Sequence, residues 1–357
     1  MLCWLACFLF PAIVFSAAEV QTGDGKVLPR MGLPPPGRIY HGVYPGGITG
    51  DEDDLTPNDL AVYQKLAGQP AAWVYFSHNW FNGRGFPLAT ARWIRDAGAV
   101  PYIRLMLRSQ GFADEPQADP VYTLKAILSG QFDRDLREWG KRAGEFGSPL
   151  IVEYGTEVNG EWFVWNGRWN GKAKGPGRFR AAYRRIIRIM REAGASNITW
   201  VFHVDDSQIP PDGWNRFENY YPGDDYIDWL AASIYGPQKP DGPYEEGREF
   251  AQMLDEVYPR LLKMAPGKPV VVAEFGCTAG HPNTDCAVWT EKALKTLFGG
   301  RWPKVMGFSW WNERWKNGGG QRDTTMRLQD IPPLTGVFRD ALSDNASRLQ
   351  TRPVIVP

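Results

Sequence analysis

The sequence has few histidines and no excess of charge of either sign. Its 357 residues include four histidines, 40 basic and 40 acidic residues, so the formal net charge is zero. Proteins that bind the phosphate backbone of nucleic acid need clustered Lys and Arg, and no such stripe is present. The histidines are scattered, with no His-Glu-x-x-His motif and no Gly-x-Ser-x-Gly nucleophile elbow. We therefore expect no nucleic-acid partner, no metal site and no cofactor.

Cysteine is also scarce, and two of the four cysteines lie in an apolar segment at the start of the sequence. Residues 1–18 carry no charged side chain and end in Ser16-Ala17-Ala18. This pattern is typical of a secretory signal peptide cleaved near its small residues, and a retained membrane anchor is the alternative. No later run is apolar enough to cross a bilayer. We expect a secreted or periplasmic monomer without stable membrane insertion after cleavage.

Cys277 and Cys286 remain after such a cleavage, nine positions apart in a predicted loop region. Disulfides are common in exported proteins, so we expect a bond between Cys277 and Cys286. A zinc site is a poor alternative, because His281 is the only other ligand type nearby.

Short apolar runs that are typical of buried strands recur along the chain. We predict eight strands: Arg38–Val43, Ala72–Phe76, Val100–Met106, Leu150–Tyr154, Ile198–Val204, Tyr226–Ile234, Pro269–Phe275 and Val305–Trp311. Amphipathic patterns between most of them predict helices at Leu60–Leu66, Leu88–Ala97, Phe132–Phe146, Phe179–Ala193, Phe250–Met264, Ala287–Leu297 and Leu334–Leu342.

This alternation predicts an α/β fold, a single-domain (β/α)8 TIM barrel spanning residues 19–343. A doubly wound open sheet is the alternative, but it usually carries a Gly-rich phosphate loop after its first strand. Tyr44-Pro45-Gly46-Gly47 has neither the spacing nor the helix start of such a loop. Residues 344–357 are polar and then bounded by proline, and we expect a loosely ordered tail.

Two glutamates follow or end predicted strands. Glu157 comes just after the fourth strand, and Glu274 ends the seventh, after Val-Val-Val-Ala. Working groups of TIM barrels lie at the carboxyl ends of strands, so these acids are the candidate catalytic pair. A glycosidase needs such a pair, about 5–5.5 Å apart for retention or about 6.5–9.5 Å for inversion. Asp205 and Glu313 are weaker candidates, the latter as a rim charge paired with Arg314.

Aromatic residues are abundant and cluster at the same positions. The sequence has 16 tryptophans, whose rigid rings with one polar atom suit the faces of sugars. For any single ring, a place in the core is an equally good interpretation. The candidate substrate-binding residues are Asn159, Trp162, Trp165, His203, Tyr235, Trp310 and Trp311.

Several motifs together resemble glycoside hydrolase family 26. They are Glu157-Val-Asn-Gly-Glu-Trp162, Tyr221-Pro-Gly-Asp-Asp-Tyr-Ile-Asp-Trp229 and Ala273-Glu-Phe-Gly276, in order within a match from about Arg38 to Trp315. The resemblance implies a (β/α)8 barrel that hydrolyses β-glycans with retention. It also implies that Glu157 is the acid/base, that Glu274 is the nucleophile and that Tyr235 hydrogen-bonds to the nucleophile.

Two positions depart from the family pattern. Thr156 stands where the family usually has His before the acid/base, and Glu153 stands where it usually has Arg. Strand alternation puts residues 153, 155 and 157 on one face, so Glu153 can point into the barrel. Arg104, on the neighbouring predicted strand, is our candidate to balance its charge.

The resemblance and the residues together predict a secreted, retaining, endo-acting hydrolase of β-1,4-mannan or a related β-glycan. Its partner would be a polysaccharide or oligosaccharide. The change at Thr156 bears on the choice of sugar, so β-1,3/1,4-glucan, xylan or an exopolysaccharide are alternative substrates. A barrel that binds polysaccharide without cleaving it is the alternative of another class.

Overall fold

The computed structural model describes residues 27–47, 52–111, 116–242 and 247–357. The predicted signal peptide, with Cys3 and Cys7, lies outside these residues. After a short strand β1 (Arg30–Met31), eight parallel strands follow in chain order. They are β2 (Ile39–Tyr44), β3 (Trp73–Asn79), β4 (Val100–Met106), β5 (Leu150–Tyr154), β6 (Ile198–Asp205), β7 (Trp229–Tyr235), β8 (Val270–Gly276) and β9 (Val305–Trp311).

The eight strands close into a barrel. Each strand from β2 to β9 pairs with the next, and β9 returns to β2, with Tyr40 opposite Gly307 and Tyr44 opposite Trp311. The predicted (β/α)8 barrel is therefore confirmed. Its strands are buried along their lengths, as parallel strands covered by helices should be.

Helices surround the barrel. They are α1 (Pro57–Ala67), α2 (Leu88–Asp96), α3 (Leu124–Leu128), α4 (Asp133–Phe146), α5 (Gly175–Glu192), α6 (Phe250–Met264), α7 (Cys286–Gly299) and α8 (Pro332–Asp344). Between β6 and β7, two 3₁₀ turns, Gly213–Asn215 and Phe217–Tyr220, take the place of an α-helix. Among the described residues, no helix has both the length and the apolar character that crossing a membrane requires.

Local sequence explains why α1 begins where it does. The Thr56 side chain accepts a hydrogen bond from the Asp59 backbone N–H, and the Asp59 carboxylate accepts one from the Thr56 N–H. This capping box satisfies backbone donors that the first turn leaves unpaired. Pro57 at the first helical position has no N–H to satisfy and a preset φ, which supports the same start.

Aromatic side chains fill the end of the barrel opposite the strand carboxyl ends. The Trp73 indole N–H donates to Ser309 Oγ at 2.7 Å, and its ring packs edge-on against Tyr40, with ring centroids 5.6 Å apart. Gly42 and Gly307 leave the space that the Trp73 ring occupies. The polar interior groups are thereby confined to the other half of the barrel.

The C-terminal residues are ordered, contrary to the expectation of a loose tail. After a short hairpin of β10 (Arg314–Trp315) and β11 (Thr324–Thr325), β12 (Leu349–Gln350) pairs in parallel with β2, and β13 (Ile355–Val356) pairs antiparallel with β1. Backbone pairing with β1 and β2 fixes this segment. Its polar composition gave no indication of that pairing.

The expected disulfide between Cys277 and Cys286 is absent, so that prediction was wrong. The Cys277 side chain lies against Gly236 at the end of β7, where a built Cβ would be 3.1 Å from its sulfur. Cys286 begins α7 and is buried, and burial raises the pKa of its thiol to about 11. Both residues serve as small apolar core groups.

Replacing Gly42 by Ala tests how tightly the Trp73 end is packed. The added Cβ would lie 2.0 Å from Trp73 Nε1, and the buried ring has no room to move away. We expect a loss of roughly 1–3 kcal/mol in the free energy of unfolding, measured by urea denaturation. Gly336→Ala is the matched control, because Gly336 is an exposed position of helix α8 with open space around it, and this change should stabilise by roughly 0.5–1 kcal/mol. Equal stabilities for the two variants would contradict this account of the packing.

Candidate functional site

Glu274 enters the barrel mouth through an irregularity in β8. Ala232 of β7 pairs with Val272, but the next residue, Ser233, pairs with Glu274, so Ala273 is an extra residue. Such a bulge re-aims the side chains that follow it. Phe275 packs outward against Trp310, with ring centroids 5.0 Å apart, whereas the Glu274 carboxylate faces the buried interior.

The Glu274 carboxylate is held by two tyrosines. The Tyr235 hydroxyl donates to Oε2 at 2.9 Å, the Tyr75 hydroxyl lies 3.2 Å from Oε1, and Arg104 Nε is 3.7 Å from Oε1. Burial raises the pKa of Glu274 to about 7 against the lowering effect of Arg104, and the negative charge of Glu157 adds to the rise. The contact that the resemblance implied between Tyr235 and Glu274 is present.

Glu157 lies in the turn after β5 with a left-handed backbone. Its φ is +48°, a region that a residue with a Cβ adopts only when the surroundings enforce it. The Trp162 indole N–H donates to Glu157 Oε2 at 2.6 Å. The charge of Glu157 acts on both Glu274 and Tyr235. The structure therefore brings the two predicted carboxylates to the same barrel mouth.

Asn159 has a structural role that differs from the predicted sugar contact. Its side-chain amide donates to the carbonyl oxygens of Asp205 and Ser207, and its side-chain oxygen accepts from the Asp205 backbone N–H. These bonds tie the turn that carries Glu157 to the loop after β6. The side chain is buried and its amide is engaged in these bonds, and a contact of Asn159 with substrate stays a prediction.

Two predicted aromatic platforms are core residues. Trp165 is 1% exposed, donates from its indole N–H to the Thr156 carbonyl and stacks on Phe163. Trp310 is fully buried and donates to the Met326 carbonyl. Both rings pack in the core, and a contact of either ring with sugar stays a prediction.

The other predicted rings border the carboxylates. Trp162 and Tyr235 are partly exposed and each hydrogen-bonds to one of the two glutamates. Trp311 stacks on Tyr44, with ring centroids 4.3 Å apart, and its indole N–H donates to Glu313. Successive side chains of a strand point to opposite faces of the sheet, so Trp311 points into the barrel whereas Trp310 points outward.

Arg104 crosses the barrel mouth between several acids. It forms a buried ion pair with Glu52, and its Nε lies 3.3 Å from Thr156 Oγ1. Arg104 is also opposite Glu153 in the strand register, and its charge helps to lower the pKa of Glu153. The expected balance of charge is therefore present, but the link between the two side chains runs through the Thr156 hydroxyl, which donates to Glu153.

The ion-pair partner of Glu153 is His203. His203 Nδ1 lies 3.0 Å from Glu153 Oε1, and both side chains are fully buried. Burial would lower the pKa of His203, but the neighbouring carboxylates outweigh it and the pKa is raised. His203 Nε2 contacts Ser233 Oγ at 2.9 Å, so both ring nitrogens are engaged. Side chains from the two neighbouring strands therefore fix His203, and a contact of His203 with sugar stays a prediction.

Glu153 stays ionised although it is buried. Burial would raise its pKa, but His203, Arg104 and the Thr156 hydroxyl lower the pKa to about 2. Tyr75 and Tyr102 also donate to it, at 2.5 and 2.7 Å. A carboxylate that accepts several hydrogen bonds is stabilised in its charged form.

Several site residues were missed by the sequence reasoning. Tyr75 and Tyr102 lie within strands β3 and β4. Alternate residues of a strand share a face, so residue 75 lies on the face of residue 77 and residue 102 on the face of residue 104. This alternation could have placed both tyrosines inside the barrel. Glu52 carries no pattern that would have found it. Glu313 was expected to be a rim charge, but it is buried, and Arg314 pairs with Asp323 instead.

Burial and the charge of Glu52 raise the pKa of Glu313 well above its usual value. Within the four described ranges, no three His, Cys, Asp or Glu side chains are arranged to hold a metal ion.

The chain is similar to known proteins over part of its length. The model of glycosyl hydrolase family 26 matches residues 120–267. Endoglucanase H of Acetivibrio thermocellus is 24% identical over 247 residues, which cover 65% of this chain and 26% of the relative. The β-1,3-xylanase TXYA of a Vibrio species is 26% identical over 239 residues, which cover 61% of this chain and 48% of that protein. The chain thus spans about a quarter and about half of these relatives.

The barrel also superposes on solved structures. A β-mannanase of family 26 from Bacteroides ovatus matches with a TM-score of 0.60 at 15% identity, over 88% of this chain and 90% of that one. The structural likeness covers 88% of this chain, and the family model covers residues 120–267, which include Glu157. Over residues 120–267 the chain is therefore similar to glycosyl hydrolase family 26, and its barrel has the fold of a solved enzyme of that family.

Proposed function

We propose that this protein is a retaining β-glycoside hydrolase in which Glu274 is the nucleophile and Glu157 the acid/base. The observation that carries the proposal is the Glu274 carboxylate, buried at the strand carboxyl ends, fixed by Tyr235 and within the electrostatic reach of Glu157. Few structural roles suit a buried acid of this kind, and paired carboxylates are the chemistry of glycoside cleavage.

In the first step, Glu274 attacks the anomeric carbon and a bond forms between its carboxylate oxygen and the sugar. The bond to the leaving oxygen breaks as Glu157 transfers its proton to that oxygen. In the second step, Glu157 takes a proton from water, whose oxygen attacks the anomeric carbon and releases Glu274. Hydrogen bonds from Tyr235 and Tyr75 orient the Glu274 carboxylate for the attack.

For the substrate we propose a β-glycan, cleaved internally, with β-1,4-mannan as the first candidate. The name of the Bacteroides ovatus enzyme, a β-mannanase, supports this choice. The relatives named as an endoglucanase and a β-1,3-xylanase support β-glucan and β-1,3-xylan as the other candidates. Residues 1–18 support the proposal that the protein is secreted.

The direct test is Glu274→Gln on a panel of mannan, lichenan, β-1,3-xylan and β-1,4-xylan, with reducing sugar release as the measurement. We expect the wild type to cleave at least one polymer and the variant to lose at least about 1,000-fold in rate, because no nucleophile remains. Glu145→Gln, at an exposed position on α4, is the control and should keep full activity. An active Glu274→Gln variant would falsify the mechanism, and a wild type that binds but cleaves none of these polymers would favour a binding protein.

Glu157→Ala separates the acid/base from the nucleophile. On a polysaccharide, we expect a loss of about 100- to 10,000-fold, since the leaving oxygen receives no proton. On a 2,4-dinitrophenyl glycoside of the preferred sugar, whose leaving group needs no proton, formation of the glycosyl-enzyme should be much less affected. Burst kinetics would measure this difference. Equal losses of the first step on both substrates would assign the acid role to another residue.

The raised pKa of Glu274 also predicts a pH-dependent effect on stability. The folded protein binds the Glu274 proton more tightly than the unfolded chain, so ionising this group destabilises the fold as the pH rises from the usual value of 4.5 through about 7. Glu274→Gln removes that effect. We expect the variant to be more stable than the wild type by up to roughly 3 kcal/mol at about pH 8, with little difference at about pH 4. Urea denaturation at both pH values measures it, and a constant difference would contradict the linkage.

A further inference from the structure

The Tyr75 hydroxyl lies between two carboxylates. Its oxygen is 2.5 Å from Glu153 Oε1, 3.2 Å from Glu274 Oε1 and 3.4 Å from His203 Nδ1. A phenol has one proton to donate, so it can serve only one of these carboxylates at a time. The shorter of the two carboxylate distances is the one to Glu153.

Glu153 can lose the hydrogen bond from Tyr75 at little cost in free energy. It also accepts from the Tyr102 hydroxyl, the Thr156 hydroxyl and His203, so three donors remain when Tyr75 turns away. Glu274 has fewer donors, namely Tyr235 and the more distant Arg104, whose closer ion pair is with Glu52. The gain from one more hydrogen bond is therefore larger at Glu274 whenever that group is charged.

We propose that Tyr75 is a positioning residue whose hydroxyl turns between Glu274 and the Glu153–His203 ion pair during each catalytic cycle. The inference rests on the proposed function, in which Glu274 is charged before attack and uncharged as a glycosyl ester. With Glu274 charged, Tyr75 donates to it. With Glu274 esterified, Tyr75 donates to Glu153. No proton leaves Tyr75, and the only movement is rotation of its O–H bond.

The surroundings of Tyr75 keep this hydroxyl protonated and its acceptor charged. Burial and the charge of Glu153 raise the pKa of Tyr75 well above its usual value. The Glu153–His203 pair adds no net charge, so it supplies an acceptor without adding an uncompensated negative charge beside Glu274. The groups that face Glu274 are Tyr75 from β3, Tyr102 and Arg104 from β4, Glu153 from β5, Glu157 from the following turn, His203 from β6, Tyr235 from β7, Glu52 from the segment before α1 and Glu313 from the segment after β9.

Glu153 is one of the two departures from the family pattern. An arginine there could not accept a hydrogen bond, since a guanidinium has only donors. In this chain the positive charges come from the neighbouring strands, as Arg104 and His203, and the position itself holds an acceptor. The rotation of the Tyr75 hydroxyl depends on a hydrogen-bond acceptor, rather than a donor, at position 153.

The first test measures the pKa of Glu274 without any substrate. Protein labelled with ¹³C at the glutamate carboxyl carbons is titrated by NMR, and Glu274→Gln assigns the signal. Tyr75→Phe should raise the pKa of Glu274 by about one pH unit, the equivalent of one hydrogen bond to a charged group. Tyr102→Phe is the matched control, because this buried tyrosine donates to Glu153 at 2.7 Å and makes no hydrogen bond to Glu274. No change in Tyr75→Phe, or an equal change in Tyr102→Phe, overturns the proposal.

A second variant covers the case in which Tyr75→Phe does not fold. The double change Glu153→Gln with His203→Asn removes the competing charged acceptor and leaves the net charge of the pair unchanged. Tyr75 should then donate to Glu274 throughout, and the pKa of Glu274 should fall. A pKa that stays the same or rises would contradict the exchange.

The activity test separates this inference from the proposed function. On the polymer that the wild type cleaves best, Tyr75→Phe should lower kcat about tenfold with little change in KM, and should move the acidic limb of the kcat/KM profile upward. Tyr102→Phe should not move that limb. If the NMR shift occurs while Glu274→Gln remains active, the hydrogen bond is real and the proposed nucleophile is wrong. If Glu274→Gln is inactive and no shift occurs, the nucleophile stands and the Tyr75 exchange is wrong.

Discussion

The mouth of this barrel is built around one physical constraint, which is that several carboxylates must be kept out of water and still be compensated. A buried charge without partners is strongly destabilising, and a buried pair is tolerated only when hydrogen bonds satisfy its remaining atoms. Glu153 meets that condition with His203 and three hydroxyl donors. Glu274 meets it only in part, and its pKa rises accordingly. The difference between these two acids sets which one is a fixed charge and which one is available for chemistry.

The side chains that compensate these carboxylates come from β3, β4, β6 and β7 and from the turn after β5. Arg104 on β4 reaches Glu52 directly and Glu153 through Thr156, so the two residues that depart from the family pattern belong to one connected group. A change at one of these positions leaves another buried atom without its partner. Thr156 and Glu153, the two departures, are thus joined to each other by a hydrogen bond.

The barrel and its two carboxylates could be predicted because they follow from simple periodicities. Continuous apolar strands separated by helical patterns identify the fold, and a charged residue at the end of Val-Val-Val-Ala identifies Glu274. The orientation of each ring was harder, because adjacent Trp310 and Trp311 point in opposite directions and a bulge nearby shifts the register. The partners of His203 could not be found at all, since they depend on which side chains three separate strands bring together.

The C-terminal strand β12 bears on how the barrel can be shortened. Only Gly42 and Val43 of β2 pair with β3, whereas every residue of β3 from Trp73 to Asn79 pairs with β4. At the amino end of β2, Ile39 and Tyr40 pair with Leu349 and Gln350 of β12. Residues 345–357, which follow α8, thus reinforce the barrel seam that has the fewest backbone pairs, and a truncation at the end of α8 would remove that support.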